Sequence, residues 1–422
     1  METENRRRVR RTPRTEAENA ASHPRPQGAE PAPADHPSTG RSRGPAISPP
    51  RGGAQRVVAE ILESADVRIG GDRPHDIQVH DPRFYRRVLA SGSLGFGEAY
   101  VEGWWDADAV DETVYRLLRK RVTTRRHRSP RVLLLAAAAK LLNLQSPRRA
   151  AADVRGHYER GLDLYRAMLD EGMTYSCGYW RQAGTLDDAQ EAKLDLICRK
   201  LGLQEGTHVL DIGCGWGSFA RFAAERYGAR VTGITLSLEQ AELARERCSG
   251  LPVDIRVEDF RGVRGRFDAV VSIGMIEHVG ADNYRDYMEV TARCLAPGGT
   301  SLIHTIAGGR STHHIDPWVH RYVFPGANLP SLRQLAEAAE GLFVVEDVHN
   351  FGPDYDRTLL AWHDNFEAAW PDLRSSYDER FRRMWRFYLL ACAAAFRSRR
   401  VQLYQVMLTP PGSPQPPGRR EQ

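Results

Sequence analysis

The chain has 422 residues, 41% of them hydrophobic, with 59 lysines and arginines against 54 acids and a formal net charge of +5. That apolar content suffices for a core in two or three domains, and no apolar run approaches the roughly 20 residues that span a bilayer, Val132 to Leu144 being shorter and broken by Lys140. The charge is concentrated: residues 1–56 hold 11 arginines against six acids, 11 − 6 = +5, so the rest of the chain is neutral.

Residues 1–56 are rich in Pro, Ala, Arg and Ser and poor in large apolar side chains, which predicts a disordered basic leader. Its basic start lacks the apolar stretch of a secretory signal. Apolar periodicity begins at Val57, Val58, Ile61 and Leu62, and a small α+β domain is expected over 57–115. Thr113 to Ala152 carries 11 Lys or Arg and no acid, with Leu and Ala at helical spacing. Such a basic amphipathic segment suits an anionic membrane surface. The same pattern also fits a helix face at a domain junction or, less well, a phosphate-seeking nucleic-acid patch. The 116–150 stretch is therefore taken as a basic linker, 151–408 as a large domain and 409–422 as a second disordered tail.

From about residue 187 helix and strand alternate: helix Asp187–Leu201, strand His208–Ile212, helix Trp216–Tyr227, strand Arg230–Thr235, helix Leu238–Cys248, strands Val253–Val257 and Phe267–Ile273, helix Asn283–Leu295, strand Thr300–Thr305. This order predicts an α/β fold, a mostly parallel sheet with helices on both faces. Six cysteines without C-x-x-C spacing argue against a zinc site or disulfide framework and fit a reducing compartment.

The first strand of the series runs into Asp211-Ile212-Gly213-Cys214-Gly215-Trp216-Gly217 and then a helix. Glycines at 213, 215 and 217 allow a sharp turn and close approach to a ligand at the carboxyl end of the strand, where open α/β sheets bind ligands. The G-x-G-x-G spacing with a preceding acid resembles the cofactor loop of S-adenosylmethionine-dependent methyltransferases, the class I fold. No acid closes the second strand, so Thr235 and Gln240 are expected to meet the ribose, and Asp259 and Phe260 after the third strand are placed at the adenine; plain core packing is the alternative for Phe260.

The strings SGSLGFGEAYVEGWWD (91–106), MTYSCGYW (173–180), VLDIGCGWG (209–217), FDAVVSIGMIEHVG (267–280), LIHTIAG (302–308), NFGPDYDRTLLAWHDNF (350–366) and ACAAAFR (391–397) together resemble cyclopropane-fatty-acyl-phospholipid synthases over about residues 57–408. Leu162 stands where an asparagine is common in the bacterial enzymes. The resemblance implies that a methylene from S-adenosyl-L-methionine is added across a cis double bond of an unsaturated acyl chain in membrane phospholipid. An alkene is a weak nucleophile, so alignment matters, and the resulting carbocation demands a dry site and a base.

By resemblance, Glu277, His304 and Tyr355, the last in a loop at 352–356, together with the backbone at Cys177 and Ile306, form a bicarbonate pocket in which bicarbonate is the base. Tyr175 and Ser176 would face the carboxylate end of the cofactor. Cys392 corresponds to a position once considered a nucleophile; no thiolate is needed for direct transfer to carbon, and packing is the simpler role. His313, His314 and His320 lack metal-site spacing. Of the aromatic residues Trp318, Tyr322, Phe324, Trp362, Phe366, Trp370 and Trp385, most are expected in the core, some along an acyl tunnel. A homodimer follows from the resemblance, while the cysteine pattern fits a cytoplasmic location and the basic segment peripheral attachment to the inner membrane face, with no nucleic-acid partner. A related unsaturated-lipid C-methyltransferase and a non-catalytic lipid-surface protein are the alternatives.

Overall fold

A computed structural model describes residues 52–120, 161–312 and 315–414, all within one compact unit. The basic leader, most of the basic linker, His313, His314 and the end of the expected tail lie outside the described residues.

Four short helices open the described chain: α1 Gly53–Glu63, α2 Arg83–Ser91, α3 Ser93–Val101 and α4 Val110–Arg119. A two-residue antiparallel ladder joins β1 Gln78–Val79 to β2 Trp105–Asp106. Their apolar faces converge on Phe84, Phe96, Tyr100 and Trp105, with Phe96 and Trp105 ring centroids 4.3 Å apart. Burying each such side chain stabilises the fold by about 1.5–3 kcal/mol. The cluster does not stop at the boundary expected at residue 115. It continues into Trp318, Trp362, Trp385 and Phe387, and that boundary falls inside α4.

The larger part is a seven-stranded sheet of β3 His208–Ile212, β4 Arg230–Thr235, β5 Val253–Val257, β6 Phe267–Ile273, β7 Leu295–Gly308, β8 Val344–Asn350 and β9 Val401–Thr409, in the order β5-β4-β3-β6-β7-β9-β8. The strands from β5 to β7 are parallel, and β9 inserts antiparallel between β7 and β8. Alternate side chains of β3 feed opposite cores: Leu210 and Ile212 pack toward α9 Tyr284–Cys294 and α11 Leu332–Ala339. Val209 packs toward α6 Leu186–Leu201, α7 Ser218–Tyr227 and α8 Leu238–Arg247. The remaining helices are α5 Leu162–Met168, α10 Pro317–Tyr322, α12 Gly352–Leu373 and α13 Glu379–Arg397. None of the described helices is long and apolar enough to cross a membrane.

Besides adding strands β8 and β9, the structure departs from the pattern in three places. Helix α7 starts at Ser218 rather than Trp216, because Gly217 holds φ 81° at its N-cap. Strand β7 begins at Leu295. Tyr355 is not in a loop: Phe351 caps α12 and Pro353 fits its first turn, where a missing N–H costs nothing, so the G-P pair that reads as a turn starts a helix.

Candidate active site

The loop after β3 is held by Gly213 N–H and Cys214 N–H, which both donate to the Ile234 carbonyl at 2.9 Å. Gly213 has φ 84°, and a Cβ there would lie 2.8 Å from Met275 Cγ, so no larger residue fits. Beside it opens a cavity of about 520 Å³ lined by Gly213, Gly215 and Trp216 from the loop, Tyr175 and Ser176 from the preceding segment, and Asp211, Lys193 and Gln240. Asp211 is buried and its Oδ2 has no hydrogen-bond partner in the described structure. Burial pushes its pKa up to about 7, with Lys193 pulling the other way. The Tyr175 hydroxyl is 2.8 Å from that of Tyr388.

Other expected cofactor residues are not in that lining. Gly217 and Thr235 are outside the cavity lining. The Thr235 hydroxyl donates to Gln240 Oε1 at 2.8 Å, so these two hold each other. Asp259 accepts from the backbone and guanidinium of Arg261, and Phe260 packs on Tyr287; neither lines the cavity. No acid closes β4, but Glu239 in the first turn of α8 lines the cavity. Leu162, Phe324 and His278 line it too.

A second group forms where β6, β7 and α12 meet. Gly274 N–H donates to the His304 carbonyl at 2.8 Å, tying the strand ends together. Glu277 follows in a short turn. Its Oε1 accepts from Ile306 N–H at 2.7 Å, while its own carbonyl accepts from Asn328 N–H at 2.7 Å. The Thr305 hydroxyl beside it donates to the Ile306 carbonyl at 3.0 Å, and Glu277 Oε2 has no hydrogen-bond partner within ordinary geometry in the described structure. Burial raises this carboxyl to a pKa of about 7. The Ile306 amide, expected as an anion donor, is thus committed to positioning Glu277.

His304 is fully buried opposite Gln405 of β9, whose amide nitrogen lies 3.3 Å from Nδ1. Burial holds its pKa well below the ordinary value, so the ring is neutral. With Nδ1 accepting, the hydrogen sits on Nε2, which has no partner in the described structure.

Segment 173–180 is laced to α12: Trp180 N–H donates to Asp354 Oδ2 at 2.8 Å, and Gly178 N–H to Thr358 Oγ1 at 3.1 Å. That lacing brings buried Cys177 toward Tyr355, and burial raises both of their pKa values well above the ordinary range. The phenol therefore stays a donor. Its ring packs on Phe396 with centroids 4.6 Å apart, and its titration is further raised by Cys177, Glu277 and Cys392. Cys392 is half-buried, its thiol pushed up to about 12 by burial. No group of His, Cys, Asp and Glu among the described residues is arranged to hold a metal ion.

The comparisons agree with this architecture. The model of the mycolic acid cyclopropane synthetase family matches residues 145–406. A cyclopropane-fatty-acyl-phospholipid synthase of Escherichia coli is 47% identical over 363 residues, which is 86% of this chain and 95% of that protein. A tuberculostearic acid methyltransferase of Mycobacterium tuberculosis is 35% identical over 81% of this chain and 85% of its own. Among solved structures, a cyclopropane synthase from Mycobacterium tuberculosis superposes with a TM-score of 0.56 at 30% identity, covering 63% of this chain and 99% of that one. A mycolic acid cyclopropane synthase complexed with SAH and CTAB gives 0.55 at 32% identity over 61% and 97%. A family match over most of the larger part, a relative aligned nearly end to end and a shared class I methyltransferase fold converge: the chain belongs to the cyclopropane synthase family.

Proposed function

We propose that the protein adds a methylene from S-adenosyl-L-methionine across a cis double bond of an unsaturated acyl chain in membrane phospholipid. The observation that carries this reading is the pairing of a cavity of about 520 Å³ at the glycine loop with buried, unpartnered polar atoms on Glu277 and His304. The cavity suits the cofactor in size and in its polar wall, with Asp211 Oδ2 awaiting a donor. When bound, the cofactor supplies an electrophilic methyl. Methyl transfer to one alkene carbon leaves a cation on the other; loss of a proton from the new methyl closes the ring.

Around the reacting carbons the chain contributes alignment and dryness. Trp362, Phe366 and Trp385 are fully buried nearby in one apolar cluster, which keeps out the water that would trap the cation as an alcohol. The free Oε2 of Glu277, Nε2–H of His304 and the protonated Tyr355 offer one acceptor and two donors, a set matching bicarbonate, which has both an O–H and anionic oxygens. Those residues, with the backbone at Cys177, would hold that anion, and when bound it would serve as the base.

The acyl substrate sits in a membrane, and the basic stretch at 113–152 fits attachment to anionic lipid from the cytoplasmic face. Two copies in a homodimer would double that grip. Raised salt is then expected to release the protein from anionic liposomes while leaving cofactor binding unchanged.

Mass spectrometry of lipids from cells with and without the protein tests the reading. Unsaturated acyl chains should gain one CH₂ unit with loss of the double bond. A methylidene or methyl-branched product would place the protein with C-methyltransferases instead, and unaltered lipids would refute both.

A further inference from the structure

Besides Glu239, the cofactor cavity has a charged wall group that neither the glycine loop nor the anion site uses. Lys193 lies on α6 and is fully buried. It follows Gln190 by three residues and so shares its helix face. Gln190 Nε2 donates to the carbonyls of Ser176 at 2.8 Å and Thr174 at 3.3 Å. Lys193 Nζ donates to the Ser176 hydroxyl at 2.7 Å. That is its one hydrogen bond among the described residues, although an ammonium carries three N–H donors.

A neutral donor would fix Ser176 without burying a charge, and a buried charge short of partners is costly. Burial lowers the Lys193 pKa to about 8, while Asp170, Cys177 and Asp211 favour the charged form. His304 is the other titrating group in its field. Asp211 enters the same cavity wall from β3 with Oδ2 unpartnered. A buried base with one hydrogen bond and a buried acid with an unpartnered oxygen in one wall complement a ligand that carries both charges a few atoms apart. The amino-acid end of S-adenosylmethionine is such a zwitterion.

We propose that Lys193 binds the α-carboxylate of the cofactor, with Asp211 on the side of its α-ammonium. This rests on the reading of the cavity as the S-adenosylmethionine site. Ser176, held between Lys193 and the Gln190 contact to its own carbonyl, is then a second donor to the same carboxylate. The lysine is a recognition residue for the amino-acid end and takes no part in methyl transfer.

Calorimetric titration of the full chain with S-adenosylmethionine and with decarboxylated S-adenosylmethionine, which keeps the sulfonium and the amine, isolates the carboxylate. The wild type should prefer the intact cofactor by about tenfold or more, as expected for a charge-assisted contact. Lys193→Met should weaken intact cofactor by about that factor and leave the decarboxylated form within about twofold, erasing the preference. Equal weakening of both ligands, or an unchanged preference in Lys193→Met, overturns the proposal. Lys193→Gln repeats the measurement if the methionine variant does not fold. The wild type also decides alone: equal affinity for the two cofactors overturns the proposal. A wild type that binds neither ligand instead removes the cofactor site itself, and this assignment falls with it.

Discussion

Arg397, in the last turn of α13, forks the carboxylate of Asp356 through Nε and Nη2 at 2.8 and 3.0 Å. Its third nitrogen reaches Asp111 of α4 at 2.8 Å. Asp356 follows Tyr355, and Phe396 next to Arg397 packs on the Tyr355 ring. One guanidinium thus joins the N-terminal helices to the turn that aims the phenol. Arg397→Lys keeps the charge but loses the fork. Turnover should fall by about tenfold while cofactor affinity stays within about twofold, because a displaced donor affects chemistry more than binding. Asp111→Asn should move turnover in the same direction by less. Steady-state kinetics beside cofactor titration check this; unchanged turnover in Arg397→Lys would show that the bridge does not position Tyr355.

Glu277 titrates near 7 in the folded protein, above the ordinary carboxyl value, because burial disfavours its charge. The folded state therefore binds a proton that the unfolded state has released between about pH 4.5 and 7, and stability contributed by this group falls as pH rises through that window. Glu277→Gln removes the buried charge. Its melting temperature relative to wild type should be higher at pH 8 than at pH 5, while ring formation drops by about 10² or more, as for loss of a group that holds a general base. Thermal melts at the two pH values, with lipid product assayed beside them, decide; a pH-independent difference in melting would contradict the burial argument.

Gly97 of α3 faces Trp318 of α10 and Phe387 of α13. A Cβ added there would lie 2.5 Å from Trp318 Cδ1 and 2.8 Å from Phe387. Both rings are buried and cannot retreat cheaply, so Gly97→Ala should cost about 1–3 kcal/mol despite alanine's better helix propensity. Denaturant unfolding measures the loss. A neutral or stabilising substitution would mean that α3 and α10 separate readily.

Cys392, with its thiol pushed up to about 12, is not a thiolate near neutral pH. Cys392→Ala should retain activity within a few fold, since methyl passes directly to carbon. A loss of 10³ or more, the scale seen when a nucleophile is removed, would reopen covalent catalysis.

The cofactor loop was legible because three constraints coincide there: an apolar strand, glycines at 213, 215 and 217, and an acid just before them. Burial on both faces of β3 writes a continuous apolar run, and helical periodicity resumes at once. The anion site was not legible in the same way. Glu277, His304 and Tyr355 come from three distant elements, and only the resemblance brought them together. Lys193 escaped notice because a lysine on a helix reads as solvent-facing, though it falls in the apolar phase with Leu186, Ala189 and Ile197. Asp259 pairs with Arg261 and is not part of the cavity lining, a detail that proximity to a strand end does not decide, since it does not say which way the turn carries a side chain. Strands β8 and β9 were missed for a related reason: β8 mixes Glu346, Asp347 and His349 into a half-exposed edge, which masks its period.

The antiparallel strand between β7 and β8 has a consequence for how the protein is made. Gln405, which fixes the tautomer of His304, is carried by β9, while β7 waits with that edge uncovered from residue 308 until β9 at 401–409 has been synthesised. The residues lining the cofactor cavity all precede residue 325, so they are synthesised well before the strand that sets His304. A chain still short of β9 lacks Gln405, and with it the group that sets the orientation of the His304 ring.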